Sequence, residues 1–123
     1  MPSQNRQPVS INLHKISRIL SISFDETKNF DFTCEFLRVH SPSAEVKGHG
    51  PGQEVLQTNK ENISITNIEP VGNYGIKPYF DDGHDTGIFS WEYLYELGSK
   101  MDEKWNEYLD SIKEAGYERN NSD

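Results

Sequence analysis

Phe80-Asp81-Asp82-Gly83-His84-Asp85-Thr86-Gly87-Ile88-Phe89-Ser90-Trp91 is the stretch whose reading decides the fold. Before it, Tyr74, Ile76, Pro78 and Phe80 recur with a period of two, the period of a strand with one buried face. After it, Trp91, Leu94 and Tyr95 share one helical face, Ser90 is placed to cap that helix, and Glu92 lies in the first turn, where the macrodipole favours an anion. A strand therefore leaves a sheet here and a helix begins. Pro78 has no N–H to give to a ladder, which puts this strand at an edge or a strand end.

Working back towards the N-terminus, Ile63 and Ile65 alternate with Ser64 and Thr66 in a strand that ends near Pro70, and Val71-Gly72-Asn73 reads as a turn. Leu20, Ile22 and Phe24 alternate with serines, and Phe30, Phe32 and Cys34 resume the alternation after a polar turn, giving a β-hairpin. Cys34 then lies on the apolar face, as a small buried hydrophobe. Between these strands, Ser41-Pro42 opens a short helical turn over 42–47, with Ser41 as N-cap and Gly48 ending it. Met1 to Val9 has no period and reads as a loose arm.

Beyond the first helix, Gly98 stops or kinks it. Ser99 and Asp102 resemble a capping box for a second helix, whose apolar stripe is Met101, Trp105, Tyr108, Leu109 and Ile112. A frayed polar tail follows Gly116. The prediction is an α+β protein with a small, mainly antiparallel or mixed β-sheet, a helical turn near 42–47 and one or two C-terminal helices. A chain of 123 residues suits one core.

Charge divides the chain at the same stretch. Up to Phe80, eight Lys/Arg balance eight Asp/Glu; from Asp81 onward twelve Asp/Glu face four Lys/Arg, so the whole net charge of -8 belongs to the last third. Such a chain repels nucleic-acid phosphates and anionic lipid, and basic proteins or metal ions are the partners it suits. No apolar run approaches the roughly 20 residues of a membrane span. The polar start has no segment of signal-peptide type, and a single cysteine excludes an internal disulfide framework. The expected location is cytoplasmic.

Asp81, Asp82, His84 and Asp85 carry groups that bind divalent ions. The competing reading is structural, since Asp bonds to nearby amides and Gly supplies unusual dihedrals where a strand gives way to a helix. An EF-hand fails, because the sixth position from Asp81 is Thr86 where glycine is required. No Gly-x-Ser-x-Gly elbow supports a serine nucleophile. Gly48-x-Gly50-x-Gly52 lacks the spacing and context of a dinucleotide site, but its glycines let a ligand approach His49 closely. His14 and His40 have no companion ligand in sequence.

The run Leu37-Arg38-Val39-His40-Ser41-Pro42-Ser43-Ala44-Glu45-Val46-Lys47-Gly48-His49, with Gly72-Asn73-Tyr74 and Phe80-x-Asp82-Gly83-His84-x-Thr86-Gly87-Ile88-Phe89-Ser90-Trp91, resembles the small domain at the N-terminus of gamma-butyrobetaine hydroxylase, which also occurs as free-standing bacterial proteins. The resemblance divides the chain into such a domain over 10–97 and a helical extension with a polar tail over 98–123. It implies a zinc held by a Leu-Arg-x-x-Cys-x-Cys-x-x-Cys run and one distant histidine. Aligned on Leu37-Arg38, the thiolate positions become Ser41, Ser43 and Val46, and the histidine falls on His84. Two hydroxyls and a valine do not replace three thiolates. The zinc site is therefore expected to be dismantled, with His84 hydrogen-bonded within the Ser41–Ser43 turn. The alternative is a rebuilt zinc or iron site using His84, Asp82 and His49.

The iron and 2-oxoglutarate chemistry of the hydroxylases belongs to a domain this chain does not contain, so no oxygenase activity and no catalytic residue is implied. Similar domains fused to P-loop ATPases of iron–sulfur cluster assembly imply an adaptor. Two functions follow as expectations: a non-catalytic binding module for a protein partner in iron–sulfur protein maturation, presenting the His84 loop and the acidic C-terminal helix, or a metal-binding protein, catalytic or not, using Asp82 and His84 with His49.

Overall fold

The computed structural model describes residues 7–48 and 52–119. Two three-stranded antiparallel sheets, each in chain order, carry the fold. The first comprises β1 (Ser10–His14), β2 (Ile19–Ser23) and β3 (Asn29–Thr33). The expected hairpin is its β2–β3 half, with Leu20 opposite Phe32 and Ile22 opposite Phe30. β1 was not expected: Ile11 and Leu13 pair with Ile22 and Leu20.

The second sheet comprises β4 (Ile65–Val71), β5 (Gly75–Phe80) and the two-residue β6 (Phe89–Ser90). β5 is the middle strand, not an edge. β6 pairs only with Gly75 and Ile76, so at Pro78 one flank of β5 has no ladder for the missing N–H to interrupt. The chain thus makes one more strand before the helix. Gly75 is required where β6 crosses, since a Cβ there would strike the Phe89 carbonyl.

Between the sheets lie α1 (Cys34–Val39) and α2 (Ala44–Lys47). Cys34 opens α1 instead of ending β3, and Thr33 caps the helix by accepting from the Phe36 N–H at 3.0 Å. Cys34 is nonetheless buried as expected, at 1% exposure, and burial pushes its thiol pKa up, away from nucleophilic use. The cap of α2 is Ser43, not Ser41, because the Ser41 hydroxyl is bonded elsewhere. Gly48 ends α2 at φ +76°.

α3 (Trp91–Ser99) begins as expected at Ser90, whose hydroxyl accepts from the Tyr93 N–H at 3.1 Å. Gly98 does not stop it. The glycine lets α3 lie against the Phe30 ring, which a Cβ would enter. The helices part at Lys100, and α4 (Met101–Glu114) has no side-chain cap, so the expected capping box does not form. Met101 and Trp105 pack against the core and Ile112 is buried. Instead of fraying, residues 117–119 are tied back at Arg119, which grips Glu35 of α1 through two hydrogen bonds of 2.9 and 2.6 Å, while the rest of the expected tail, 120–123, lies outside the described residues. The core lies between the sheets and helices, around Leu20, Phe32, Leu37, Ile65, Phe89 and Leu94. Among the described residues no helix is long and apolar enough to cross a membrane.

Candidate functional site

The turn after β5 delivers His84 into the protein. The Phe80 N–H donates to the His84 carbonyl at 3.0 Å, and the Gly83 N–H donates to the Phe80 carbonyl at 3.1 Å. Gly83 sits at φ +90°, which favours glycine. His84 is only 4% exposed and meets the segment before α2. Its Nδ1 lies 2.8 Å from Glu45 Oε1 and its Nε2 2.8 Å from Ser41 Oγ. A carboxylate only accepts, so Nδ1 carries a proton; in the neutral ring Nε2 then accepts from the Ser41 hydroxyl. Ser41 Oγ also accepts from the Ser43 N–H at 3.2 Å. Ser43 Oγ accepts from the Glu45 N–H and shares a proton with Thr86 Oγ1 at 2.6 Å. Among the described residues no buried side-chain nitrogen or oxygen lacks a partner.

The structure thus brings His84 to Ser41, as the sequence led us to expect. Glu45 and Thr86 join the network without having been anticipated, and spacing carries no sign of either. Val46, the third thiolate position, is buried at 7% exposure beside this turn. His49 lies outside the described residues.

Asp82 makes no bond to the imidazole, whose nitrogens are taken by Glu45 and Ser41. Its Oδ2 accepts from Arg38 Nε at 3.0 Å and Lys60 Nζ at 2.7 Å, and its Oδ1 accepts from the His84 N–H at 3.2 Å. Partial burial works against ionisation, but the Lys60 bond, the His84 amide and Arg38 outweigh it together and lower its pKa from 3.8 to about 2. A depressed carboxylate pKa stabilises the fold above the unfolded value, and that stability is lost as pH falls from about 4 towards 2. Solvent screening holds the contribution to about 1 kcal/mol. Urea melts should therefore show wild-type protein losing more stability than Asp82→Asn between pH 5 and pH 2. Equal losses would refute this role for Asp82. Asp81 is used structurally, its Oδ1 accepting from the Ser64 N–H at 3.2 Å, and Asp85 is exposed.

The donor set does not fit a structural zinc. One imidazole, two hydroxyls already committed to His84, Glu45 and Thr86, and a valine leave one soft ligand where four are needed. Among the described residues no three His, Cys, Asp or Glu side chains are grouped as a metal would require. Glu45–His84–Ser41 has the connectivity of an acid–base–nucleophile relay. However, Ser41 is fully buried and Gly87 lies so close that a Cβ would run into its hydroxyl, so no acyl group reaches it.

Comparison with known proteins agrees with this architecture. Two structures determined in solution by NMR are 47% identical to the chain. One covers 96% of this chain and 93% of its own length with a TM-score of 0.81, the other 97% and 89% with a TM-score of 0.80. A crystal structure of a protein of unknown function from Acidithiobacillus ferrooxidans, of the DUF971 family, is 36% identical over 77% of this chain and 96% of its own, with a TM-score of 0.63. A comparison with curated proteins finds no match. The family model described as gamma-butyrobetaine hydroxylase-like, N-terminal, matches residues 11–95, a span that holds the whole His84 network and both sheets but for Ser10. The chain belongs to the gamma-butyrobetaine hydroxylase-like N-terminal family.

Proposed function

We propose that the chain is a non-catalytic adaptor that docks a basic surface of a protein partner, from the iron–sulfur assembly machinery, through the outer face of α4. The observation that carries this reading is an acidic stripe. Glu103, Glu107, Asp110 and Glu114 recur at helical spacing and are all exposed, opposite the side that packs on the core. Like charges three or four residues apart cost a helix about 0.2–0.5 kcal/mol per pair, and Glu114 lies in the last turn, where the macrodipole disfavours an anion. The macrodipole favours Glu103 in the first turn, but it gives no reason for Glu107, Asp110 and Glu114, whereas a cationic partner does. Fusion of related domains to P-loop ATPases supplies the kind of partner. In this reading the His84 loop serves from within, fixing the segment from Ser41 to Glu45.

Immobilised chain should retain a P-loop ATPase of iron–sulfur assembly at low salt and release it as ionic strength approaches about 1 M, where screening acts within about 3 Å. The triple variant Glu103→Lys, Glu107→Lys, Asp110→Lys should lose retention without a fall in melting temperature. Retention indifferent to salt and to charge reversal would remove α4 as the docking face, and no retention at low salt would remove the adaptor reading.

A further inference from the structure

A cleft of about 390 Å³ lies beside the His84 network, with Ser41 in its lining. Val39, Val46, Tyr93 and Tyr108 form its apolar and aromatic walls, and Lys47 and Lys104 stand at its rim. Val55 and Gln57 at its edge are held in place. The Val55 N–H donates to the Val46 carbonyl at 2.8 Å, the Gln57 amide donates to the Val55 carbonyl at 2.8 Å, and Tyr108 Oη donates to the Gln57 carbonyl at 2.7 Å. Pre-formed clefts of a few hundred Å³ with apolar walls and a few convergent polar groups are the usual form of small-molecule sites.

The polar groups here have spare capacity. Lys47 and Lys104 form no ion pair among the described residues, although the chain has 20 Asp and Glu against 12 Lys and Arg. Lys47 Nζ lies over the Tyr93 ring, 5.1 Å from its centroid. Tyr93 Oη donates to the His40 carbonyl at 2.7 Å and keeps its lone pairs. His40 Nδ1 lies 2.8 Å from the Phe36 carbonyl, which takes the Nδ1 proton, so Nε2 is left as an acceptor. Among the described residues Nε2 has no hydrogen-bond partner, and since no buried side-chain nitrogen among them is unpartnered, it is not sealed from solvent. Burial first, with Lys104 and Lys47, lowers the His40 pKa against the opposing pull of the Phe36 carbonyl and Glu107. Glu54 is the one carboxylate among the described lining residues, and Glu107 of α4 acts on His40 from just beyond them.

We propose that this cleft is a binding site for a small organic anion, a carboxylate with an apolar or aromatic body, held by Lys47 and Lys104 through its charge and by Tyr93 and Tyr108 through its body. His40 Nε2 supplies an acceptor for a hydroxyl or amide on the same ligand. The site shares α4 with the acidic face through Lys104 and Tyr108, but it does not rest on the adaptor reading.

3-Phenylpropionate is a suitable probe, with 3-phenylpropionamide as its neutral counterpart and inorganic phosphate as charge without a body. In ¹H–¹⁵N spectra of the full chain, 3-phenylpropionate should give saturable shifts centred on Lys47, Val55 and Tyr93. The amide and phosphate should each bind about tenfold more weakly or worse. Lys47→Ala/Lys104→Ala, both rim positions, should weaken binding by about tenfold or more with an unchanged melting temperature. No saturable shift up to about 10 mM overturns the proposal, as do equal binding of the amide or an undiminished affinity in the double variant.

Discussion

Replacing His84 by alanine is expected to lower the free energy of unfolding by about 3–4 kcal/mol, the sum of a large-to-small change in a packed site and an unsatisfied buried hydroxyl. The imidazole is 4% exposed, packs against the Phe80 ring and satisfies Ser41, which is wholly buried. Without it the Ser41 proton has no acceptor and the turn before α2 loses its anchor. For a domain of this size the melting temperature should fall by about 10–20 °C. Glu45→Ala should cost less than about 1 kcal/mol, because that carboxylate is 62% exposed and water replaces its bond. Denaturant melts of both variants decide the matter. If His84→Ala stays within about 0.5 kcal/mol of wild type, the network is not what holds the turn. A chelator should leave the wild-type melt unmoved; a large chelator effect would instead make His84 a metal ligand.

Arg119→Ala is expected to cost about 3 kcal/mol, far more than a surface substitution normally does. Glu35 is 5% exposed, and the guanidinium reaches both of its oxygens while lying over the Trp105 ring, 5.3 Å from its centroid. Removing the cation strands a buried carboxylate and uncovers the indole. Replacing both partners, as Glu35→Leu/Arg119→Leu, should restore most of the loss, because a buried ion pair exchanged for apolar side chains is often neutral. A cost below about 0.5 kcal/mol for the single variant would mean that the C-terminal segment is not docked in solution.

Much of this architecture is legible from local pattern. Leu20/Ile22 against Phe30/Phe32 alternate cleanly because one face of β2 and β3 is buried and the other wet. Ser90 announces α3 through its own hydroxyl. What stays hidden depends on partners remote in sequence. All six residues of α1 are buried, including Glu35 and Arg38, so no polar face marks it as a helix, and the Phe30-Phe32-Cys34 alternation runs past its true start. Gly98 looks like a stop signal, but its missing side chain is explained only by Phe30, on another element. In the candidate site, His84 and Ser41 were found by resemblance. Glu45, Thr86 and the Arg38–Asp82–Lys60 cluster needed three-dimensional neighbours that no spacing encodes. The tail looked unstructured because its anchor, Glu35, lies 84 positions earlier.

Both sheets are meanders built from neighbouring strands, so most of their pairing closes short loops, which is the cheap part of assembling a chain. The contacts that join the two halves span far more chain: 43 residues for His84–Ser41, 44 for Asp82–Arg38 and 84 for Arg119–Glu35. Such bonds close after the local pairing that brings their ends together. Weakening them should leave the rate of folding nearly unchanged and raise the rate of unfolding. The residues around His84 therefore set how long a folded molecule lasts, while the turns within each meander set how soon it forms.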